Sequence, residues 1–244
     1  MIQRTVLYRI LAVILTVAPG AGTSFVQAQE SGKMNEGETV ADAAVSKNKA
    51  MTDAADVPGL PRVLLIGDSI SIAYTLPVRD LLKGKANVHR IPGNGMNTAN
   101  GIKQLNNWLG TGKWDVIHFN FGLWDAKFKT ENMQQVSRED YEKNLGDIVK
   151  RLQATGAKVI FATTTPVPEL LSPPTRRFDK IPDRNEIATK VMKRNGVAID
   201  DLYTVILPKQ AEFQRPKDVH FDARGSSLLA KSVAESIEKQ LLKR

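Results

Sequence analysis

The sequence predicts an α/β domain in which a parallel sheet is covered on both faces by helices. Short segments at 63–66, 88–91, 114–121, 158–162 and 197–199 each have the length of a strand, the first of them, 63–66, a wholly apolar run rich in branched residues. Between them lie longer stretches with apolar residues at helical spacing, so strands and helices alternate along the chain. No internal repeat is visible.

Two segments precede this domain. Residues 1–28 read as a secretory signal peptide: Arg4 and Arg9 form a positive start, residues 10–18 an apolar stretch, and Val26-Gln27-Ala28 offers small residues for cleavage. The apolar stretch is shorter than the roughly 20 residues that span a bilayer. An uncleaved anchor is the alternative, and either reading implies export, to a periplasm or to the medium. Residues 29–60 carry few large apolar side chains and read as a disordered linker, closed by Pro58 and Pro61. The domain itself is expected over 61–244.

Its first strand, within Arg62-Val-Leu-Leu-Ile-Gly-Asp-Ser-Ile-Ser71, stops at Gly67 and delivers Ser69 onto a turn before a helix. Open α/β sheets bind ligands outside the carboxyl ends of their strands. A helix N-terminus there also favours negative charge. Asp68 and Ser69 are equally compatible with a plain helix cap, and the tripeptide alone does not decide.

The second strand leads into Pro92-Gly-Asn-Gly-Met-Asn-Thr98, whose glycines let backbone N–H groups face outward, and a helix is expected over 98–109. In the third strand Ile117, Phe119 and Phe121 share one face, and Val116, His118 and Asn120 the other. Polar residues on a buried face need partners; His118 is assigned to a structural network, and Asn120, nearer the edge, to either a network or a site. Ser137 with Asp140 resembles a capping box ahead of the next helix. A proline-rich loop over 163–182 follows the fourth strand and is long enough to line a cleft. After a helix over 183–194 and the last strand come a helical turn over 200–207, a loop over 209–221, and a final helix capped by Asp222.

Composition narrows the chemistry. The chain has no cysteine, which excludes disulfides, thiol catalysis and cysteine metal ligands. The formal charge of +8 falls to +6 without Arg4 and Arg9, and no concentrated basic face with interleaved aromatics suggests nucleic-acid binding. Of three histidines, His89 and His118 lie in or beside strands, whereas His220 sits in a loop just before a helix, with carboxylates close by. There it is suited to act as general base for Ser69. No second histidine lies at metal-ligand spacing.

Gly67-Asp-Ser-Ile70, Gly95, Gly122-x-x-Asp125 and Asp218-Val-His220 stand in this order, and together they resemble the SGNH (GDSL) hydrolases over about residues 61–242. No G-x-S-x-G elbow is present. The resemblance implies a flavodoxin-like three-layer α/β/α fold and ester hydrolysis through an acyl-serine. It assigns Ser69 as nucleophile and His220 as its base, with the Ser69 and Gly95 amides lining an oxyanion hole.

Two departures stand out. The family's third block reads G-x-N-D with the Asn as oxyanion donor, and Trp124 holds that place here; the Trp124 indole N–H and the side chain of Asn120 are the candidate replacements. The family's last block reads D-x-x-H, but Lys217 stands three residues before His220, so Asp218 is the candidate to orient the imidazole, with Asp222 or a backbone carbonyl as alternatives.

The expectation is an exported serine esterase that removes small acyl groups, most plausibly acetyl, from carbohydrate. It needs no cofactor or metal, does not bind nucleic acid, and keeps no stable membrane association once its signal is cleaved. A lysophospholipase or thioesterase for longer chains is the enzymatic alternative. A non-catalytic carbohydrate-binding module is the other.

Overall fold

The computed structural model describes residues 40–52, 54–171 and 177–243. In chain order its elements begin with α1 (Val40–Met51), β1 (Arg62–Ile66), α2 (Ser69–Leu81), β2 (Asn87–Arg90), α3 (Thr98–Leu109) and β3 (Val116–Phe119). Then come α4 (Leu123–Ala126), β4 (Phe128–Thr130), β5 (Met133–Gln134), α5 (Arg138–Gln153) and β6 (Lys158–Ala162). The remainder is α6 (Ile181–Arg194), β7 (Ala198–Asp200), α7 (Leu202–Ile206), α8 (Gln210–Phe213) and α9 (Ala223–Leu241).

Five strands form one sheet in the order β2-β1-β3-β6-β7, and every neighbouring pair is parallel. Counting only these strands, the order is second, first, third, fourth, fifth, the flavodoxin-like arrangement. Its crevice lies outside the carboxyl ends of β1 and β3, where the chain order reverses. The Gly67–Ser69 turn leaves one of these ends and the Gly122–Asp125 turn the other.

Strand alternation divides the core into two layers. Val63, Leu65 and Val116 join a cluster with Val78 of α2 and Leu229, Val233 and Ile237 of α9. Leu64, Ile66, Ile117 and Phe119 join the opposite cluster, with Leu105 of α3, Ile148 of α5 and Val191 of α6. Removing each such side chain from water contributes roughly 1.5–3 kcal/mol, so the sheet is held from both sides. His118 faces the α2/α9 layer. Its Nε2 lies 3.0 Å from Asp200 Oδ2, and Asp200 Oδ1 accepts from Ser232 Oγ at 2.6 Å, the structural network expected for this residue.

The expected caps form. Ser137 Oγ accepts from the Asp140 amide at 3.0 Å, and Asp222 Oδ1 from the Gly225 amide at 2.9 Å. Other expectations need correction. The third strand ends at Phe119; Asn120 still donates its amide to the Ile66 carbonyl at 2.9 Å before the chain turns away. A short β4–β5 hairpin follows it, and α8 occupies part of the expected 209–221 loop.

Residues 40–60 are not the disordered linker that their composition suggests. Arg79 donates to the carbonyls of Lys49, Thr52 and Val88, which fastens the end of α1 to α2 and β2. Asn87 pairs with both backbone groups of Val57, and Asp56 meets His89 and Arg62. Polar bonds to α2 and the edge strand, with Ala50 buried, order the described residues of this stretch, and composition is blind to such bonds. Residues 1–28 and 29–39 lie outside the described residues.

Asp125 links the loops after β2 and β3. Its Oδ1 accepts from the amide of Thr98, the first residue of α3, at 2.9 Å, and from the Thr98 hydroxyl. Its Oδ2 is buried and has no hydrogen-bond partner among the described residues. Burial raises the Asp125 pKa to about 6, outweighing the stabilising bonds from Thr98. The folded state therefore keeps a proton that the unfolded chain has already lost. This contribution to stability is full below about pH 4, declines as pH rises to about 6, and is flat above. The difference in unfolding free energy between the wild type and Asp125→Asn should accordingly change across pH 4–6 by about 3 kcal/mol. Urea titrations at several pH values measure it, and a pH-independent difference would show that Asp125 ionises normally.

Candidate active site

The nucleophile turn is built around backbone carbonyls. β1 ends at Ile66, and Asp68 caps α2 by accepting from the Ile70 amide at 2.9 Å. The capping reading of Asp68 is thus correct, and it sets Ser69 as the first residue of the helix. At that position the Ser69 amide has no carbonyl one turn back to bond. Gly67 is required by close approach, since a Cβ there would lie 2.9 Å from Ser71 Oγ.

Arg90, at the end of β2, holds this turn from beneath. Its guanidinium donates to the carbonyls of Gly67 (2.9 Å), Asp68 (3.1 Å) and Ile91 (2.8 Å), to the Gly93 carbonyl, and to Ser71 Oγ (2.9 Å). Burial lowers its pKa to about 10, which leaves it charged at neutral pH. Sequence reading passed over Arg90. The available signal was a lone cation closing a buried strand with no acidic neighbour in sequence.

Ser69 and His220 meet although 151 residues separate them. Ser69 Oγ lies 2.8 Å from His220 Nε2, and His220 Nδ1 lies 3.0 Å from both oxygens of Asp218. An ionised carboxylate only accepts, so Nδ1 carries the proton and Nε2 is left to accept from the serine hydroxyl. The one-residue shift of the acid relative to D-x-x-H is taken up locally. Lys217 adopts φ +57°, in the left-handed region, and the Asp218 amide closes a turn onto the Arg215 carbonyl at 3.1 Å. The Arg215 amide donates to the His220 carbonyl at 2.9 Å, fixing the far side of the loop. Asp222 is engaged in capping α9 and pairing with Arg224.

The other candidates are placed differently. The Gly95 amide does not face outward; it donates to the Gly67 carbonyl at 2.9 Å, and a Cβ there would lie 2.8 Å from that oxygen. Glycine is needed for this approach, which ties the second loop to the nucleophile turn. The Asn120 side chain is likewise committed, its Nδ2 donating to the Ala162 carbonyl at 2.7 Å with Thr164 Oγ1 at 3.5 Å. It ties the segment just after β3 to the end of β6. Trp124 stands in α4, half-buried, with Lys127 Nζ 5.0 Å from its ring centroid.

Ser69 and His220 open into a pocket of about 400 Å³ lined by Ile72, Leu76 and Pro77 of α2 and by Phe221, with Ser46 and Lys47 of α1 on its wall. The proline-rich loop lines a separate groove of about 1000 Å³, shared with Tyr203, Gln210 and Lys217. Among the described residues no cluster of side chains is suited to hold a metal ion.

The model of the GDSL-like lipase/acylhydrolase family matches residues 65–228, from the first strand into the last helix. The chain belongs to this family. It is a serine hydrolase acting on ester bonds. Curated protein sequences include no match. Solved structures of family type share its fold. A lipase/acylhydrolase from Enterococcus faecalis aligns with TM-score 0.63 and 23% identity over 74% of this chain and 97% of its own. The acetyl xylan esterase AlAXEase aligns with TM-score 0.60 and 19% identity, over 72% and 99% of the two chains. The acetylxylan esterase Axe2 from Geobacillus stearothermophilus gives TM-score 0.60 and 17% identity, over 72% and 94%.

Replacing Asp218 by Asn keeps the volume but removes the charge that holds the Nδ1 proton. Asp218→Asn should lower kcat on an aryl acetate by a factor on the order of 10²–10⁴ with little change in KM. Steady-state kinetics decide this, and unchanged turnover would remove Asp218 from the site.

Proposed function

We propose that this family member is an exported esterase that removes small acyl groups, acetyl foremost, from carbohydrate. The observation carrying the reading is the continuous chain of contacts from Asp218 through His220 to Ser69 Oγ. In this mechanism His220 Nε2 takes the Ser69 proton as Oγ attacks the ester carbonyl. Asp218 holds the imidazole in the required tautomer and stabilises the imidazolium.

The tetrahedral oxyanion is received by the Ser69 amide at the positive end of α2. The Trp124 indole N–H is the side-chain donor proposed in place of the family's Asn. Collapse of the intermediate transfers the proton from His220 to the departing alcohol oxygen and leaves an acyl-serine. A water deprotonated by His220 then releases the acid.

Acetyl and carbohydrate are supported by the acetylxylan esterases among its structural relatives, and export by the character of residues 1–28. One observation favours a second reading, hydrolysis of longer acyl esters: the Ser69 pocket is large for an acetyl group, and Ile72, Leu76, Pro77 and Phe221 give it an apolar wall. The protein from residue 29 onward, assayed on an aryl acetate and an aryl octanoate beside Ser69→Ala, separates the readings. The expected result is a higher kcat/KM for the acetate and no turnover by the variant. A preference for octanoate establishes the longer-chain reading. Equal rates for wild type and variant refute an acyl-serine at Ser69.

A further inference from the structure

The pocket beside Ser69 carries two cations on opposite sides. Lys47 projects from α1, and Arg215 opens the turn that presents His220. Neither side chain has a hydrogen-bond or ion-pair partner among the described residues, although most other arginines of the domain do. The carboxylate lining the same pocket, Asp222, does not compensate them. Its Oδ1 accepts from the Gly225 amide and its Oδ2 from Arg224 at 2.8 and 2.9 Å. Asp218 faces the imidazole instead.

Both cations are anchored by backbone geometry. Arg79 holds the Lys49 and Thr52 carbonyls at 3.1 and 3.0 Å, which fixes the carboxyl end of α1 directly after Lys47. The Arg215 backbone bonds both the His220 carbonyl and the Asp218 amide. The arrangement leaves a positive field at a pocket whose other walls are the apolar Ile72, Leu76, Pro77 and Phe221 and neutral serine hydroxyls, and field lines concentrate in such a cleft.

We propose that Lys47 and Arg215 recognise an anionic group beside the scissile ester, and that the substrate is an acyl ester of an acidic sugar carrying a carboxylate. This rests on the esterase reading above and deepens it. It also makes α1, which lies outside the family match at 65–228, part of the substrate site. An apolar pocket receives the acyl group at Ser69, and the cations hold the charged ring outside it.

The test compares acetate release from O-acetylated galacturonic acid oligomers with release from the same oligomers methyl-esterified at C6, which lack the carboxylate charge and keep the sugar. The expected wild-type preference is for the acidic oligomer, weakening as salt rises. Lys47→Ala combined with Arg215→Ala should lower the ratio of kcat/KM values, acidic over neutral, by about tenfold, since exposed ion pairs are each worth a few-fold. Charge reversal, Lys47→Glu with Arg215→Glu, should lower it further. A ratio indifferent to both pairs of substitutions, or a wild-type preference for the neutral oligomer, overturns the proposal. Binding of the acidic oligomer to Ser69→Ala, measured by calorimetry with and without the two cations, needs no turnover. If wild type hydrolyses neither oligomer, the carbohydrate-deacetylating reading fails, and the titration separates that outcome from the role of the cations: affinity that depends on Lys47 and Arg215 upholds their recognition of the anionic group, and its independence refutes it.

Discussion

One buried guanidinium organises the site. Arg90 sits under the nucleophile turn and donates to four carbonyls and one hydroxyl drawn from the ends of β1 and β2. Taking a cation out of water is costly unless its donors are satisfied. Arginine can satisfy several acceptors at once because its donors form a rigid planar fork. The Gly67 carbonyl accepts from Arg90, and the Asp68 carbonyl is shared between Arg90 and the Ile72 amide of α2, so the guanidinium grips the turn at the point where the helix starts. The same bonds that neutralise the carbonyls thus orient Ser69. Gly95 adds its amide to the Gly67 carbonyl from the second loop, so two adjacent strand ends converge on a single peptide oxygen. Any side chain at Gly95 would push on that oxygen.

The second constraint lies at the other end of the chain. His220 must approach Ser69 from a loop that α9 anchors through the Asp222 cap. Between Gln214 and Phe221 the chain folds back on itself, with the Gln214 side chain donating to the carbonyls of Pro166 and Val219. The proline-rich loop after β6 therefore braces the histidine loop. Within that frame a left-handed Lys217 shortens the path from acid to imidazole by one residue. Lysine there costs more than glycine would, and the Asp218 contacts to His220 are what the strain secures.

The fold was legible in the sequence wherever burial alone sets the pattern. Apolar residues on both faces marked β1 and β6, short segments between helical stretches marked the other parallel strands, and Ser137 and Asp222 announced their helices. It was illegible where polar bonds between distant segments decide. Residues 40–60 carry too little apolar surface to order themselves, yet Arg79 and Asn87 order them through carbonyls that no periodicity records. The site divides along the same line. Ser69, His220 and Asp218 were readable because each stands in a short block beside a strand or helix end. Asn120 was left open between a network and a site, and Gly95 was misread as a free donor, because the partner of each, Ala162 or Gly67, lies on a segment distant in sequence. Arg90 was missed for the converse reason: five acceptors from three segments give no local signature.

These assignments bear on how the oxyanion is met. With the Asn120 amide on β6 and the Gly95 amide on Gly67, the amide left open beside Oγ is that of Ser69. A helix N-terminus supplies it with the aligned dipoles of α2, thirteen residues long. Such donors act best when they need not reorganise during the reaction, and here the cap at Asp68, the brace at Arg90 and the glycine at 67 all hold one turn rigid. The Trp124 position then matters differently from an Asn. An indole carries a single donor on a large apolar body. Where the family has an Asn side-chain amide, this chain has a half-buried ring with Lys127 beside it, so the donor whose geometry the fold fixes is the Ser69 amide.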